Sequence, residues 1–353
     1  MPRWFGMLVF LSILLGIFFG GYYYILWRLF GFFKLKHNIY FWLTLVFLAF
    51  GYVGFSILET KIPCAAWRFF QRLTAIGLGV GWLCVVVLLS HDLLHLVFRF
   101  PISYSRWVVL GLIVSLSVYS LVNAMRLEVK YIELSAPVDK TIAQWSDVHL
   151  GSVSRRHLER LVEKTNSLNP DVVLITGDLM DPQGDLTSDS LTPLNKLTAP
   201  TYFVTGNHER YVGLEKMASL LNTTQVIPLR NEVTMFEGIQ LVGIDDSDDR
   251  SQVQRHLAKL KFNPDMFTVL LYHQPEGFNA AAAAGVNLML SGHTHSGQIW
   301  PFNWVVRSRF RYLKGHYKIG DMNLYVTPGS GTWGPPMRLG SRNQITLIRL
   351  VKQ

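Results

Sequence analysis

The sequence predicts an α-helical membrane domain over residues 1–125, followed by an α/β domain over residues 126–353. Three observations lead to this prediction. The first half contains four long apolar runs, the basic residues of that half mostly flank those runs, and the second half alternates short apolar strands with amphipathic helices. A chain of 353 residues is long enough for two domains that each bury a core.

Each apolar run is long enough to cross a bilayer, which takes roughly 20 residues of α-helix. The runs cover residues 5–27, 39–58, 74–98 and 107–125. The first run continues into YYYILW without a small-residue cleavage site, so it is predicted to be a retained span and not a signal peptide. Four spans place both ends of the domain on the same side of the membrane.

The basic character of the chain belongs mostly to this membrane half. Residues 1–125 carry nine Lys or Arg and two Asp or Glu, whereas the remaining residues carry 24 and 22. Basic residues that flank apolar spans favour contact with anionic lipid over nucleic acid. We therefore expect the lipid bilayer as a partner and no nucleic acid, and no protein partner can be inferred.

The orientation in the membrane follows from the distribution of these charges. The side that carries the termini has six basic residues, and the opposite side has five: Arg3, Lys61, Arg68, Arg72, Arg126 and Lys130 against Arg28, Lys34, Lys36, Arg99 and Arg106. Under the positive-inside rule this difference of one residue favours a cytoplasmic α/β domain, and the side of the membrane stays open. We expect a multi-pass protein of the plasma (inner) membrane. The cysteines, Cys64 and Cys84, both lie in the membrane half and indicate nothing about the redox compartment of the other half.

The third apolar run contains an ionisable motif, HDLLH, with His91, Asp92 and His95. Histidines four residues apart share a helix face, and ionisable groups inside a membrane are functional candidates. The alternative is that they lie at the headgroup level near the end of the span. In a four-span arrangement this end of the helix faces away from the α/β domain.

Short apolar runs predict the strands of the α/β domain. They are TIAQWS (141–146), DVVLIT (171–176), TYFVT (201–205), IQLVGI (239–244), FTVLLY (267–272) and VNLMLS (286–291). Helices are predicted over 154–168 and around 214–221, 251–260 and 277–284. This alternation favours sheets that are at least partly parallel and covered by helices.

Residues of the types that bind metals follow five of these strands. They are Asp147 and His149, then Asp178 and Asp181, then Asn207, His208 and Glu209, then His273, and finally His293 and His295. The carboxyl ends of strands in open α/β sheets form a crevice, so we expect these side chains to converge there. Each piece alone is common, but five of them in order are not expected by coincidence.

The ordered motifs DVH, GDLMD, GNHE, a single His and GHTH resemble the calcineurin-like metallophosphoesterase superfamily. The resemblance covers roughly residues 140–350, and it is closest to the branch with a multi-span N-terminal membrane segment. NHERY, LRNE, HQPE, GHTHSGQI and GTWGPPMRLGSR look like that branch. The fold it implies is a four-layer α/β sandwich, with two β-sheets face to face and helices outside. Ser296 stands where many relatives have glycine, and a side chain is tolerated there unless the backbone needs a positive φ.

The resemblance implies a dinuclear metal centre. Asp147, His149, Asp178 and His295 would bind one ion, and Asp178, Asn207, His273 and His293 the other, with Asp178 shared. Such a pair holds a bridging hydroxide in line with the leaving group at phosphorus. Oxygen and nitrogen ligands without thiolate suit Mn²⁺, Fe or Zn²⁺, and we favour Mn²⁺.

The resemblance also implies two residues that act beside the ions. His208 would meet the leaving-group oxygen or stabilise charge in the transition state, and Asp181 would orient it. Glu209 has two readings, a partner of the ligands or a solvated loop carboxylate.

Three further segments bear on the substrate. Arg155 and Arg156 begin a helix near Asp147 and are candidates for phosphate binding. The segment 299–317 mixes aromatic residues with Arg307, Arg309 and Arg311; it suits either a surface on lipid headgroups or a hairpin with a buried aromatic face. DDSDD (245–249) is predicted to be a solvated acidic loop, and it lacks the spacing of a calcium loop.

Three functions remain open from the sequence. The first is a membrane-integral metallophosphoesterase that cleaves a phosphodiester or pyrophosphate bond of a lipid or lipid-linked substrate. The second is the same catalytic centre, tethered to a membrane and acting on soluble substrates. The third is a membrane sensor or scaffold whose metal-bound domain binds a ligand without turnover, but the intact set of ligands argues against it.

Overall fold

The computed structural model of the protein describes residues 3–62, 64–184, 186–263 and 265–352. The chain divides into two compact units. The first is Met1–Val122 with Gly334–Met337, and the second is Asn123–Trp333 with Arg338–Gln353.

The first unit is built from long helices: α1 (Arg3–Phe32), α2 (Ile39–Lys61), α3 (Ala65–Phe98) and α4 (Ile102–Ala124). Three of them, α2, α3 and α4, are long and apolar enough to cross a membrane. They contain the predicted spans 39–58 and 74–98 and nearly all of 107–125. Many side chains of the predicted span 5–27 lie outside the described residues, so the fourth span stays a prediction.

The HDLLH motif lies on α3 and has partners on two neighbouring helices. Asp92 forms an ion pair with Arg28 of α1 and accepts a hydrogen bond from Tyr24 Oη at 2.7 Å. Its neighbour His91 is buried, with Nε2 3.0 Å from Ser105 Oγ of α4. These polar contacts join three helices.

The second unit is an α/β domain. Its strands are β1 (Leu127–Ala136), β2 (Lys140–Trp145), β3 (Val172–Thr176), β4 (Thr201–Val204), β5 (Ile227–Pro228), β6 (Glu232–Phe236), β7 (Ile239–Gly243), β8 (Phe267–Leu271), β9 (Leu288–Ser291), β10 (Gly315–Ile319), β11 (Met322–Val326) and β12 (Asn343–Lys352). Its helices are α5 (Arg155–Asn166), α6 (Ser188–Leu191), α7 (Asn207–Val212), α8 (Leu214–Leu221), α9 (Gln252–Leu257), α10 (Phe278–Ala283) and α11 (Asn303–Arg309). Every strand and helix predicted for this half lies within one or a few residues of its observed bounds.

The strands form two six-stranded mixed sheets. The first has the order β1-β12-β2-β3-β4-β5 and the second the order β10-β11-β9-β8-β7-β6. The strands β2 to β5 run parallel in the first sheet, and β7, β8, β9 and β11 run parallel in the second. A parallel strand is buried on both faces, which explains why β3 begins with the unbroken apolar run VVLI and has all five of its residues buried.

Three hydrophobic cores arrange these elements in four layers. The central core lies between the sheets and includes Leu174 of β3 and Leu290 of β9. An outer core packs α5 against the first sheet, and another packs α9 and α10 against the second sheet. The predicted four-layer sandwich is therefore confirmed.

Helix α5 illustrates how the sequence encodes one of these outer layers. Ser154 caps its first turn by accepting a hydrogen bond from the backbone N–H of His157. Leu158, Leu161 and Val162 recur at helical spacing and are all buried, so a single stripe of the helix faces the sheet.

Candidate metal centre

The metal-binding residue types converge at the carboxyl ends of parallel strands from both sheets. Strands β2, β3 and β4 of the first sheet lead into the loops with Asp147, Asp178 and Asn207. Strands β8 and β9 of the second sheet lead into His273 and His293. Gln144 links the two sheets beneath these loops, because its Nε2 donates to Thr176 Oγ1 and to the carbonyl oxygen of Ser291, both at 3.1 Å.

A first group contains Asp147, His149 and His295. One ligand atom from each lies within 4.8 Å of the other two, and all three residues are buried. The Nε2 atoms of His149 and His295 face each other at 3.0 Å, and His295 Nε2 lies 3.4 Å from Asp147 Oδ1.

A second group contains Asp178, His273 and His293, whose ligand atoms also lie within 4.8 Å of one another. His273 Nε2 is 3.2 Å from Asp178 Oδ2, 3.2 Å from Asn207 Oδ1 and 3.1 Å from His293 Nδ1. Asp178 Oδ2 also lies 3.7 Å from His149 Nε2 of the first group. Asp178 is thus positioned between the two groups.

This donor set fits divalent cations. In each group, two imidazole nitrogens point at each other, and a cation between them would bind both lone pairs. Burial, then the charge of His273, lowers the pKa of His293 to about 3, and burial, then His149, holds the pKa of His295 well below its usual range. Both rings are therefore neutral near neutral pH, which is the state that binds a metal. Burial would also lower the pKa of His273, but Asp178 and Asp147 raise it well above its usual range; a cation would replace that proton.

A third group places Asp181 between two histidines. Its carboxylate lies 3.4 Å from His149 Nδ1 and 3.5 Å from His208 Nδ1, and it accepts a hydrogen bond from Ser152 Oγ at 2.7 Å. The opposite nitrogens of both rings therefore point away from Asp181. Burial alone would raise the pKa of Asp181, but His149 and then His208 lower it. Burial alone would lower the pKa of His208, but the contact with Asp181 raises it.

The backbone of these loops adopts uncommon conformations. The φ angles of Asp147, His149, Asp178 and His295 lie between 48° and 53°, in the left-handed region. Such strain is concentrated at functional sites in proteins. Ser296 also has a positive φ, of 55°, so it adopts the conformation for which glycine is favoured.

Glycines at two positions allow the loops to approach the carboxylates. A Cβ atom at Gly206 would lie 2.1 Å from Asp178 Oδ1, and one at Gly292 would lie 2.2 Å from Asp147 Oδ2. Any side chain there would displace a predicted ligand. These contacts explain the glycines of the GNH and GHTH motifs.

Comparison with known proteins identifies the domain that carries this site. Residues 140–297 match the family described as calcineurin-like phosphoesterase. A metallophosphoesterase of Aquifex aeolicus, named as uncharacterized, is 31% identical over 217 residues, which cover 58% of this chain and 82% of that protein. This chain belongs to the calcineurin-like phosphoesterase family.

Two other relatives are matched over a smaller share of their own length. A transmembrane protein with metallophosphoesterase domain from Danio rerio is 35% identical over 277 residues, covering 69% of this chain and 63% of that protein. An uncharacterized metallophosphoesterase of Helicobacter pylori is 37% identical over 217 residues, covering 58% of each chain. The chain therefore spans less than two thirds of the length of these two relatives.

Glu209 is buried beside the candidate metal centre and is not a solvated loop residue. It is fully buried, and its carboxylate accepts hydrogen bonds from the backbone N–H groups of Asp178, Met180 and Gly206 at 2.7–2.9 Å. Burial, then the neighbouring Asp178, raises the pKa of Glu209 to about 7. Glu209 fixes the loops that carry Asp178 and Asn207, and it does so through backbone contacts.

Arg338 is a buried residue beside the candidate metal centre that sequence reasoning missed. Its guanidinium donates to the carbonyl oxygens of Pro328 and Gly331 at 2.7 Å and of His295 at 3.3 Å, and Nη2 lies 3.5 Å from His295 Nδ1. Burial lowers its pKa to about 9. The sequence signal for Arg338 was its position in GTWGPPMRLGSR, a motif that resembles the superfamily branch with a multi-span membrane segment. This motif contains no residue of a metal-binding type.

We predict that Arg338→Lys lowers the unfolding temperature of the protein and weakens metal retention. An ammonium cannot reach the separate acceptors of the planar guanidinium, and each buried acceptor left without a donor costs about 1–3 kcal/mol. Thermal unfolding in detergent with a chelator measures the first effect, and metal content after dialysis the second. Arg349→Lys, at an exposed position of β12, is the control. Parent-like values for both quantities in Arg338→Lys would contradict this role.

The candidate substrate arginines lie at the surface. Arg155 and Arg156 are exposed on α5, and Arg155 pairs with Glu159 at 3.2 Å. Arg309 pairs with Glu276, and the guanidinium of Arg311 lies 5.4 Å from the ring centre of Tyr312. Within the described residues, the structure joins none of these arginines to the predicted ligands by a hydrogen bond or ion pair.

In two segments the structure contradicts an interpretation made from the sequence. Asp246 of the DDSDD loop is buried, because it accepts hydrogen bonds from Arg210 Nη2 at 2.9 Å and Gln274 Nε2 at 2.8 Å, so the solvated-loop reading is wrong at this position. The segment 299–317 contains helix α11, and Trp304 is 64% exposed, so it is not a hairpin with a buried aromatic face.

Proposed function

We propose that this chain is a membrane-integral, metal-dependent phosphohydrolase that cleaves a phosphodiester or pyrophosphate bond of a lipid or lipid-linked substrate. The observation that carries the proposal is the convergence of the Asp147 and Asp178 groups, with Asp178 between them. Convergent acids, imidazoles and an amide serve neither a hydrophobic core nor a solvated surface, but they hold cations well.

The proposed centre binds two divalent ions, with manganese as the favoured metal. Asp147, His149, Asp178 and His295 would hold one ion, and Asp178, Asn207, His273 and His293 the other. The two carboxylates offset only half of the charge of the ions, and the neutral ligands offset none. The bound ions supply the positive charge that attracts a phosphate, polarises it and acidifies water.

In the proposed reaction, water adds to phosphorus and releases a proton to solvent, the bond to the leaving oxygen breaks, and that oxygen receives a proton from His208. Support comes from the position of His208, whose Nδ1 faces Asp181 at 3.5 Å and leaves Nε2 free to face the substrate. The raised pKa of His208 keeps the proton available near neutral pH. Asp181 acts through His208 and is therefore a positioning residue.

The lipid character of the proposed substrate rests on two observations. The N-terminal unit contains three helices that are long and apolar enough to cross a membrane, whereas a single helix suffices as an anchor. Trp300, Trp304 and Val305 in and beside α11 are 46%, 64% and 53% exposed. Aromatic rings beside arginines are typical of surfaces that rest on anionic headgroups.

The test of this proposal uses the full chain purified in detergent, stripped with a chelator and reloaded with Mn²⁺, Fe²⁺, Zn²⁺ or Mg²⁺. We expect hydrolysis of bis(p-nitrophenyl) phosphate only after metal is restored, and turnover of at least one phospholipid or lipid pyrophosphate presented in mixed micelles. Elemental analysis should find two bound ions per chain.

Two outcomes would replace the proposed function with another one. Turnover of water-soluble diesters without turnover of any lipid would indicate a membrane-tethered phosphodiesterase. Absence of turnover on every substrate at saturating metal would favour a membrane sensor that binds a ligand without hydrolysing it.

A further inference from the structure

A cavity of about 190 Å³ lies beside the loop that follows β9. Its lining includes Ser296, Trp300, Asn303, Arg307, Lys314 and Tyr317. Residues of the α11 segment and of the loop before β10 form most of this wall, and none of them belongs to the two metal-binding groups described above.

The cavity has an excess of positive charge. Among the described residues, Arg307 forms no ion pair and Lys314 donates only to the carbonyl oxygen of Gly340, at 3.1 Å. The nearby Arg309, in contrast, is neutralised by Glu276. Two cations at one cavity without a carboxylate partner favour the binding of an anion.

An unpaired polar atom in the wall also indicates a ligand. Asn303 Oδ1 is buried and has no hydrogen-bond partner among the described residues. A buried polar atom without a partner is uncommon in folded proteins, because it loses its hydrogen bonds with water. Rotation of the amide presents either its oxygen or its N–H groups to a bound molecule.

The same segments contact the metal-binding loop. Ser296 directly follows His295 in the chain. Thr294 Oγ1 donates to the carbonyl oxygen of Leu313 at 2.5 Å, and the ring centre of Phe310 lies 5.1 Å from that of His293. The cavity wall therefore packs on the loop that carries the predicted ligands His293 and His295.

We propose that this cavity is an anion-binding subsite that holds a second phosphate, or another anionic group, of the substrate. Arg307 and Lys314 would bind the anion, and Asn303 would bind a neighbouring polar group. The inference rests on the proposed function for the scissile phosphate, and it adds a substrate class: phosphoesters that carry a second anionic group. It also gives a role to Arg307, whereas the exposed Arg155, Arg156 and Arg311 and the neutralised Arg309 lie outside the cavity wall.

The kinetic test compares two esters on the full chain loaded with metal. One is the p-nitrophenyl ester of thymidine 5′-monophosphate, and the other is the same ester with an added 3′-phosphate. We expect kcat/KM of the parent to be about 10-fold or more higher for the ester with the 3′-phosphate, mainly because the KM of that ester is lower. Charge-assisted hydrogen bonds contribute a gain in affinity of about 10-fold or more. The double variant Arg307→Gln/Lys314→Gln should lose this preference, and Arg349→Gln, an exposed arginine of β12, should keep it.

A binding test without turnover separates this inference from the proposed function. Line broadening of the phosphorus NMR signal of inorganic phosphate is measured with the chelator-treated full chain. We expect broadening with the parent and with Arg349→Gln, and much less with the double variant. If the parent hydrolyses neither ester, the proposed function fails, and the phosphate line broadening alone tests the anion-binding subsite.

Three results would overturn the subsite. The parent could show no preference between the esters, the double variant could keep the parental preference, or the parent and the double variant could broaden the phosphate signal equally. Phosphate binding without ester preference would assign the cavity to free phosphate and not to the substrate.

Discussion

Asp178→Asn is expected to abolish metal-dependent hydrolysis and to lower the metal content of the protein by at least one ion per chain. Asp178 Oδ2 lies 3.2 Å from His273 Nε2 and 3.7 Å from His149 Nε2, so its carboxylate is within reach of ligand atoms in both predicted sets. An amide carries no charge and offers one oxygen. Loss of a residue that merely supports a ligand weakens metal affinity by about 10- to 100-fold, so loss of a shared ligand should exceed this.

The measurements are elemental analysis after dialysis and turnover of bis(p-nitrophenyl) phosphate over a range of Mn²⁺ concentrations. Asp249→Asn is the matched control, because Asp249 is a half-exposed carboxylate paired with Arg255. Thermal unfolding in a chelator checks that the Asp178 variant is folded. A folded Asp178→Asn protein with two ions and parental turnover would eliminate the proposed dinuclear centre.

His208→Ala is expected to lower kcat by about 100- to 10,000-fold and to leave the metal content close to that of the parent. The ring of His208 lies 4.5 Å from the ring of His149, but its Nδ1 faces Asp181 and not the two metal-binding groups. The variant therefore separates proton donation from metal binding. Asp181→Asn should reduce kcat by a smaller factor, because it acts through His208 and His149.

The substrate provides a second readout of the His208 role. A leaving group such as p-nitrophenolate needs little protonation, whereas an aliphatic alcohol needs much more. The decrease in kcat caused by His208→Ala should therefore be larger for aliphatic esters. His316→Ala, at an exposed position of β10, is the control. If His208→Ala keeps parental turnover, or loses its metal instead, His208 is not the proton donor.

The predictable part of the fold came from patterns with a direct physical cause. The run DVVLIT predicts β3 because a parallel strand covered on both faces needs apolar residues throughout. The stripe of Leu158, Leu161 and Val162 predicts α5 because a helix against a sheet needs one apolar face. The polar residues after each run predict the metal-binding groups, because loops at the carboxyl ends of strands lie at the surface and carry functional side chains.

Other features depend on contacts between segments that are distant in the chain. Glu209 follows His208 in a short loop motif, yet it is fully buried because three backbone N–H groups from two loops need an acceptor. Asp246 is buried because Arg210 and Gln274 converge on it. Nothing in DDSDD distinguishes this acid from its solvated neighbours, since local composition contains no information about distant donors.

The sequence by itself determined the apolar helices of the first half, the α/β class of the second half and the identity of the acids and imidazoles at its strand ends. Each of these follows from periodicity or from residue type over a few neighbours. Only the tertiary structure decided that the strand ends belong to two sheets, that β12 inserts between β1 and β2, and that Arg338 lies against His295. The physical reason is that strand pairing and buried hydrogen bonds join residues far apart in the chain, and many pairings satisfy the same local pattern until the whole domain packs.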